Sequence, residues 1–332
     1  MAFEGGNIVR FTYTGANGEV IDEEATHITV DKDCTVVRAR AFLRHPNIVE
    51  LICHDDVEMI EQEAFSWCRS LKRVIIRGVK IVEQEAFRFC GALEDVEWDK
   101  LEMIGKEAFY HCRSLRSINL STARTVGWYA FAICTALTNV KFGSKLERIE
   151  EKAFYACYNL ERITIPMKNG LFTEDGIFTE CSNLCQVDLV EGELHETIAA
   201  LHLEEWRNDM NDEIDSINQI FPTSPAGGWG DDRDDVDEPD PGEKTQAIRS
   251  WIRSVLRKII HYQTEHRHLL NEAATALEHV LPNNDIVMNN VIPFHQLPSY
   301  RFEVEHEEDG EEEDSDDDTQ SSESSLGDEE YE

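Results

Sequence analysis

Positive charge is the scarcest commodity of this sequence: 31 Lys and Arg stand against 67 Asp and Glu in 332 residues, a formal net charge of −36. Such an excess repels nucleic acid at long range, so nucleic-acid binding is disfavoured. Long apolar runs are missing too. No stretch approaches the roughly 18 apolar residues that a membrane helix needs, and the start "MAFEGGNIVRF" has no run of signal-peptide length. Those two absences lead us to expect an intracellular protein, cytoplasmic or nuclear, with no membrane segment. Signatures of chemistry are lacking as well. There are nine cysteines but no C-x-x-C pair, and there is no phosphate-cradling glycine loop, no nucleophile elbow and no H-E-x-x-H. No catalytic residue, metal or cofactor is therefore assigned, and an enzyme is the least favoured class.

What the chain has instead is a period. Phe42, Phe65, Phe87, Phe109, Phe131, Phe154 and Phe178 follow one another at spacings of 23, 22, 22, 22, 23 and 24. A fixed period in the twenties denotes a solenoid. Six, nine and eleven residues after each Phe the side chain is apolar, as in "LKRVII", "LRSINL" and "LERITI". This in-and-out alternation reads as a short strand with one face buried. "EEAF" or "QEAF" before the Phe suits a short helical or 3₁₀ turn. One coil cannot bury its own apolar side, whereas stacked coils share a core and pair their strands in parallel. The expected architecture is an α/β solenoid of about seven to eight coils over residues 25–192. "NIVRFTYTGANGEV", turning at Gly15 and Gly18, reads as a β-hairpin cap over residues 1–24.

Six cysteines, Cys68, Cys90, Cys112, Cys134, Cys157 and Cys181, stand three residues past the repeat Phe, where the first coil has His45. Cys34 and Cys53 occupy other apolar slots. A stacked thiol ladder can be imagined as a redox or metal device, but a small, buried, apolar side chain accounts for the pattern. Cys185 alone falls outside the slots.

The pattern E-x-A-F-x-x-C-x-x-L-x-x-[VI]-x-[IL] resembles the BspA-type, or Treponema-type, leucine-rich repeat. Downstream segments such as "EEWRNDMNDEIDSINQIFP" and "NNVIPFHQLPSYRFE" are similar to the C-terminal part of such repeat proteins in diatoms. The resemblance implies a curved interaction scaffold with no shared catalytic activity. The acidic final stretch departs from it.

After the coils, Ile198, Leu201, Trp206, Met210, Ile214, Ile217 and Phe221 recur at helical spacing, which predicts an amphipathic helix within 193–221. A stripe from Ile248 through Ile252, Val255, Ile259 and Tyr262 to Val280, spaced in the manner of a coiled coil, predicts a second over 245–282. The two can form a hairpin or cap the last coil. Between them, residues 222–244 compose an acidic linker; 283–302 read as extended. Residues 303–332, with 17 Asp and Glu and no Lys or Arg, read as a disordered acidic tail. Arg249, Arg253, Arg257 and Lys258 make a basic helix face, for which pairing with Asp209, Asp212, Glu213 and Asp215 is the plainer reading. His261, Glu265 and His268 share a face but lack further ligands, so no metal site is assigned.

Outward strand positions should line an exposed sheet face. Arg73, Arg77, Asp95, Glu97, Asp99, Asn119, Lys141 and Arg162 are the candidate partner-binding residues there. Their mixed charge favours a protein partner over an apolar ligand. The basic rung, Arg73 and Arg77, beside the acidic one, Asp95, Glu97 and Asp99, can equally be a set of mutually neutralised pairs. The leading expectation is a non-enzymatic protein–protein interaction scaffold. The alternative is a carrier, or chaperone, of histones or other basic proteins through the acidic tail, resembling the acidic nuclear leucine-rich-repeat phosphoproteins.

Overall fold

A computed structural model describes residues 8–16, 18–172, 176–190, 197–201, 203–220 and 243–280. The expectations for 222–242, 283–302 and 303–332 lie outside them.

Each coil contributes one strand of three or four residues, and six of them contribute, on another side, one of two. The longer strands are β1 (Arg10–Tyr13), β2 (His27–Val30), β4 (Glu50–Ile52), β6 (Arg73–Ile75), β8 (Asp95–Glu97), β10 (Ser117–Leu120), β12 (Asn139–Phe142), β14 (Arg162–Ile165) and β15 (Gln186–Leu189). The shorter are β3 (Val36–Val37), β5 (Met59–Ile60), β7 (Ile81–Val82), β9 (Met103–Ile104), β11 (Thr125–Val126) and β13 (Arg148–Ile149). The long strands form two parallel sheets, β1-β2-β4-β6-β8 and β10-β12-β14-β15; the short ones form a third, β13-β11-β9-β7-β5-β3. The chain is thus a parallel-sheet solenoid, as the period requires. The sheet of short strands is an addition: Ile60, Val82, Ile104, Val126 and Ile149 point inward from it, all at most 2% exposed.

The arc that carries the Phe is not helical. Residues two before and two after the Phe have left-handed backbone, for example Glu107 (φ 54°) and His111 (φ 65°) about Phe109. This conformation costs a non-glycine residue on the order of 1–2 kcal/mol. Its return is that alternate N–H groups point along the stack. Glu107 donates to Trp128 O (2.9 Å), Phe109 to Ala130 O (2.8 Å) and His111 to Ala132 O (2.8 Å), all on the next coil. A helix would spend these donors within its own coil. The arc therefore behaves as a further ladder, and the preceding Ala (Ala64, Ala86, Ala108, Ala130) is fully buried.

Inside, the seven Phe rings stack in one file. Centroid separations run from 4.8 Å between Phe42 and Phe65 to 5.8 Å between Phe154 and Phe178. The cysteines explain themselves beside it. Each slot thiol donates to the Phe carbonyl of the coil before: Cys68 to Phe42 O (3.1 Å), Cys112 to Phe87 O (3.3 Å), Cys181 to Phe154 O (3.1 Å). That carbonyl already accepts a backbone N–H, so the thiol fills its second lone pair. His45 makes the corresponding contact in the first coil, its Nε2 lying 3.0 Å from Asp22 O. Burial pushes the thiols up, Cys68 and Cys134 to about 12.

The N-terminal hairpin is corrected. β1 pairs with β2 in parallel, Arg10 beside His27 and Tyr13 beside Val30. It is the first rung of the ladder, with Tyr13 buried 5.2 Å from the Phe42 ring. A parallel pair needs a crossover of about a dozen residues, and 14–26 supply it. Gly15 and Gly18 both take φ 75°, and the Glu19 carboxylate accepts the N–H groups of Thr14 (3.0 Å) and Gly15 (3.0 Å), so the chain swings round instead of doubling back.

After β15 the chain forms α1 (Glu204–Ile220) and α2 (Glu243–Val280). Helix α2 takes in Glu243 and Lys244, which composition assigns to the linker. The helices pair with each other and also cover the last coil. Trp206 stacks on Tyr262 (5.2 Å), Trp251 Nε1 donates to Glu213 O (2.8 Å), and Lys258 pairs with Glu213 (2.8 Å) and Asp209 (3.1 Å). Against the coil, Asn218 of α1 grips Val187, accepting its N–H (2.9 Å) and donating to its carbonyl (3.3 Å). Lys244, 7% exposed, gives its ammonium to the carbonyls of Cys181 (2.9 Å), Leu184 (2.9 Å) and Ser182 (3.3 Å). Desolvation holds its pKa below the usual lysine value.

Candidate functional site

The strand alternation that buries Leu51, Val74, Ile118, Val140 and Ile163 turns their neighbours outward, so the face consists of register-matched rows. Arg73 lies beside Asp95, and Ile75 beside Glu97. In the other sheet Asn119 lies beside Lys141, and Asn139 beside Arg162.

The file of eight candidates is cut in two. Arg73, Arg77, Asp95, Glu97 and Asp99 belong to the first sheet or its margin; Asn119, Lys141 and Arg162 belong to the second. Trp98 causes the break. It occupies an inward slot held elsewhere by Cys, Ile, Leu or Phe, and its indole packs 5.6 Å from the Phe109 ring. At the corresponding place in earlier coils a backbone N–H reaches the next rung, Cys53 to Ile75 O (2.8 Å) and Ile76 to Glu97 O (2.8 Å). Here the Trp98 indole N–H donates to Asn119 O.

Within the first group the charges are largely satisfied by one another. Glu97 accepts from Arg73 (2.6 Å) and Arg77 (2.7 Å), and Arg73 also lies 3.7 Å from Glu50. The hydrogen bond from Arg73, followed by that from Arg77, keeps the Glu97 carboxyl below its ordinary value. Asp95 and Asp99 are exposed at the edge of this cluster. In the second group Arg162 pairs with Asp188 at 2.7 Å. Asn119 Oδ1 accepts the N–H of Ser121 (3.1 Å), and Lys141 is exposed. The unspent recognition capacity of this face thus lies at Asp95, Asp99 and Lys141. Ile52, 37% exposed and in register with Ile75, adds an apolar pair. It stands ten after Phe42, an outward position whose apolar character in the sequence hides its exposure.

A second surface escaped the sequence reading. In the first four Phe coils the left-handed residue two past the Phe is exposed or part-exposed at the corner leading into the sheet, making a row of Arg44, Trp67, Phe89 and His111. Trp67 and Phe89 lie 4.2 Å apart, and Phe89 and His111 4.9 Å. The Arg69 guanidinium sits 4.7 Å from the Trp67 ring. The aromatic residue immediately before each of the first three slot cysteines, Trp67, Phe89 and His111, is the signal that could have found it.

His261 and His268 pair with Glu265 (3.6 Å) and Glu272 (3.7 Å), and no His, Cys, Asp or Glu group among the described residues is arranged to hold a metal. No helix among the described residues is long and apolar enough to cross a membrane.

Comparison with known proteins fits this geometry. The family model described as BspA type leucine rich repeat region, in six copies, matches residues 22–123 and 102–201. Among solved structures, a leucine-rich repeat protein from Bacteroides ovatus is similar at 31% identity, with 43% of this chain and 37% of that one covered and a TM-score of 0.40. The leucine-rich repeat protein of T. pallidum is similar at 22% identity over 59% of this chain and 88% of its own, with a TM-score of 0.45. A leucine-rich cell surface protein from Faecalibacterium prausnitzii shares 22% identity over 52% of this chain and 62% of its own, with a TM-score of 0.34. This chain therefore spans about a third of the Bacteroides protein and under two thirds of the Faecalibacterium one. No curated protein matches it.

Proposed function

Since the chain belongs to the BspA-type leucine-rich-repeat family, we propose that it is a non-enzymatic scaffold whose sheet face receives a protein partner. The observation that carries this reading is the face itself: outward side chains fixed in register on stacked rungs, with Asp95, Asp99, Lys141 and the Ile52–Ile75 pair exposed or part-exposed upon it. Residues held by a rigid ladder lose little further freedom on binding, which favours recognition by a broad, mixed-charge surface. An intracellular setting accords with this reading, because eight buried thiols serve as S–H donors or apolar filling and are unbonded. The test is crosslinking and mass spectrometry of the native protein beside a variant with Lys141→Glu and Asp95→Lys. The expected result is that one defined crosslinked partner disappears in the variant; a partner set identical in both would defeat the assignment.

The carrier of histones or other basic proteins is the second reading, favoured by the density of charge in 303–332. Deleting those residues should remove salt-sensitive histone binding while leaving the sheet-face partner in place. Equal histone binding with and without them would refute it.

A further inference from the structure

The corner row found beside the sheet has a property that the rest of the chain does not share. Acidic residues make up 67 of 332 positions, yet the five residues after each of the first six ladder Phe, 43–47, 66–70, 88–92, 110–114, 132–136 and 155–159, include none. Four arginines fall there, Arg44, Arg69, Arg88 and Arg113, with the aromatic side chains of Trp67 and Phe89 between them. This is a basic, aromatic strip on an acidic molecule.

Its N-terminal end is shaped. An open cleft between the first two Phe coils is lined by Arg44, Pro46, Trp67 and Arg69. The Trp67 ring is flanked by two guanidinium groups, Arg69 at 4.7 Å and Arg44 at 6.0 Å. Most arginines nearby are committed to carboxylates: Arg40 to Glu63 at 2.7 Å, Arg73 to Glu97 at 2.6 Å and Arg88 to Glu107 at 2.9 Å. Arg44 and Arg69 are exposed and have no carboxylate partner among the described residues. Two unspent, weakly hydrated guanidinium groups beside a half-buried indole are matched by a carboxylate with an apolar neighbour. Trp and Arg at such a place are also the residue types that concentrate binding energy.

We propose that Arg44, Trp67 and Arg69 form a docking site for an acidic peptide segment of a partner protein. A Glu or Asp carboxylate of the segment lodges between the two guanidinium groups, and an adjacent aromatic or aliphatic side chain lies on the indole. The site is separate from the sheet face and depends on the scaffold reading only in taking its ligand to be a protein. Charge complementarity selects the acidic segment, and the flanking charges select a peptide over a nucleic acid. Glu61, Glu63, Glu83 and Glu85 stand four and two residues before Phe65 and Phe87, and a chain of net charge −36 repels a long line of phosphates. A peptide in extended form needs only the cleft.

The experiment uses the full chain and isothermal titration with three probes: a 12-residue peptide alternating Glu with Phe, the same peptide with Lys for Glu, and oligo(dT). The Glu–Phe peptide should bind, with affinity falling as salt rises. Arg69→Ser and Arg44→Ser, both exposed, should each weaken it about tenfold or more, and Trp67→Leu likewise, while Lys141→Glu on the sheet face leaves it unchanged. Circular dichroism verifies that each variant is folded; were Trp67→Leu to unfold, the two arginine variants carry the test. No binding of the Glu–Phe peptide, equal binding of the Lys peptide, indifference to both arginine variants, or tighter binding of oligo(dT) would each overturn the proposal. Loss of the sheet-face partner with this binding intact would fall on the scaffold assignment alone.

Discussion

Phe109 sits at the centre of the file of rings, and its removal measures what the stack is worth. The side chain is 0% exposed, with Phe87 at 5.1 Å, Phe131 at 5.2 Å and Trp98 at 5.6 Å. Truncating a buried Phe to Ala costs about 3–5 kcal/mol in lost transfer energy and residual cavity. The cavity here cannot collapse cheaply, because the backbone on both sides is held by the N–H ladder of the arc, including Phe87 to Ala108 O (2.8 Å) and Phe109 to Ala130 O (2.8 Å). Aromatic pairs add about 0.5–1.5 kcal/mol each beyond burial, so Phe109→Ala belongs at the upper end, about 5 kcal/mol. That is comparable with the whole stability of many domains, and Phe109→Leu is therefore the companion variant. It keeps most of the volume and loses the ring contacts, for about 1–2 kcal/mol. Lys141→Ala, at an exposed sheet position, should stay within about ±0.5 kcal/mol. Urea titrations followed by far-ultraviolet circular dichroism give all three midpoints. A Phe109→Leu midpoint indistinguishable from that of Lys141→Ala would refute the claim that the rings form the load-carrying file of the solenoid.

Three more outcomes follow from the coils and their cap. Because a folded thiol such as Cys134 is pushed up to about 12 from 9.0, stability is intact below about pH 9 and falls above it, as only the unfolded chain ionises. Between pH 9 and 11, Cys134→Ala should lessen that fall by about 1.4 kcal/mol per pH unit, and an unchanged slope in urea midpoints would contradict it. A Cβ on Gly143 would stand 2.0 Å from the Ser121 carbonyl oxygen, so Gly143→Ala should destabilise by about 1–3 kcal/mol; a neutral thermal melt would show that the coils are spaced more widely. Lys244→Met leaves three carbonyls without their ammonium and should cost about 1–3 kcal/mol at neutral pH. Since burial lowers the Lys244 pKa, the unfolded state binds more protons as pH climbs toward 10.5, so the wild type should gain on the variant in that window; a gap that narrows there would reverse the sign argued for this lysine.

What the sequence discloses about this fold depends on how many residues share a constraint. The Phe file and the long strands are legible because every coil repeats the same inward positions, and their pairing follows from the period alone. The short-strand sheet repeats nearly as well, with Val37, Ile60, Val82, Ile104, Val126 and Ile149 five before each of the first six Phe. Two residues are too few for alternation to distinguish a strand from a turn. The left-handed corners are hidden for another reason. Their cost is offset by hydrogen bonds to the next coil, so no glycine marks them, and Glu63 or Trp67 gives no local hint of positive φ. At the sheet face the rows themselves are legible, but which carboxylate takes which arginine depends on reach. Arg73 passes over its register neighbour Asp95 to meet Glu97 on the diagonal. Trp98 is the opposite case, a residue that obeys the inward pattern and yet interrupts the ladder through its indole N–H. The corner strip is hidden in the same way as the corners that build it. Only once the left-handed corner two residues past Phe42 and Phe65 is known do Arg44, Trp67 and Arg69, 23 and 25 residues or two residues apart in sequence, become neighbours across one coil boundary. A repeat thus announces its core through what recurs. Its distinctive surface resides where the backbone recurs and the side chains do not.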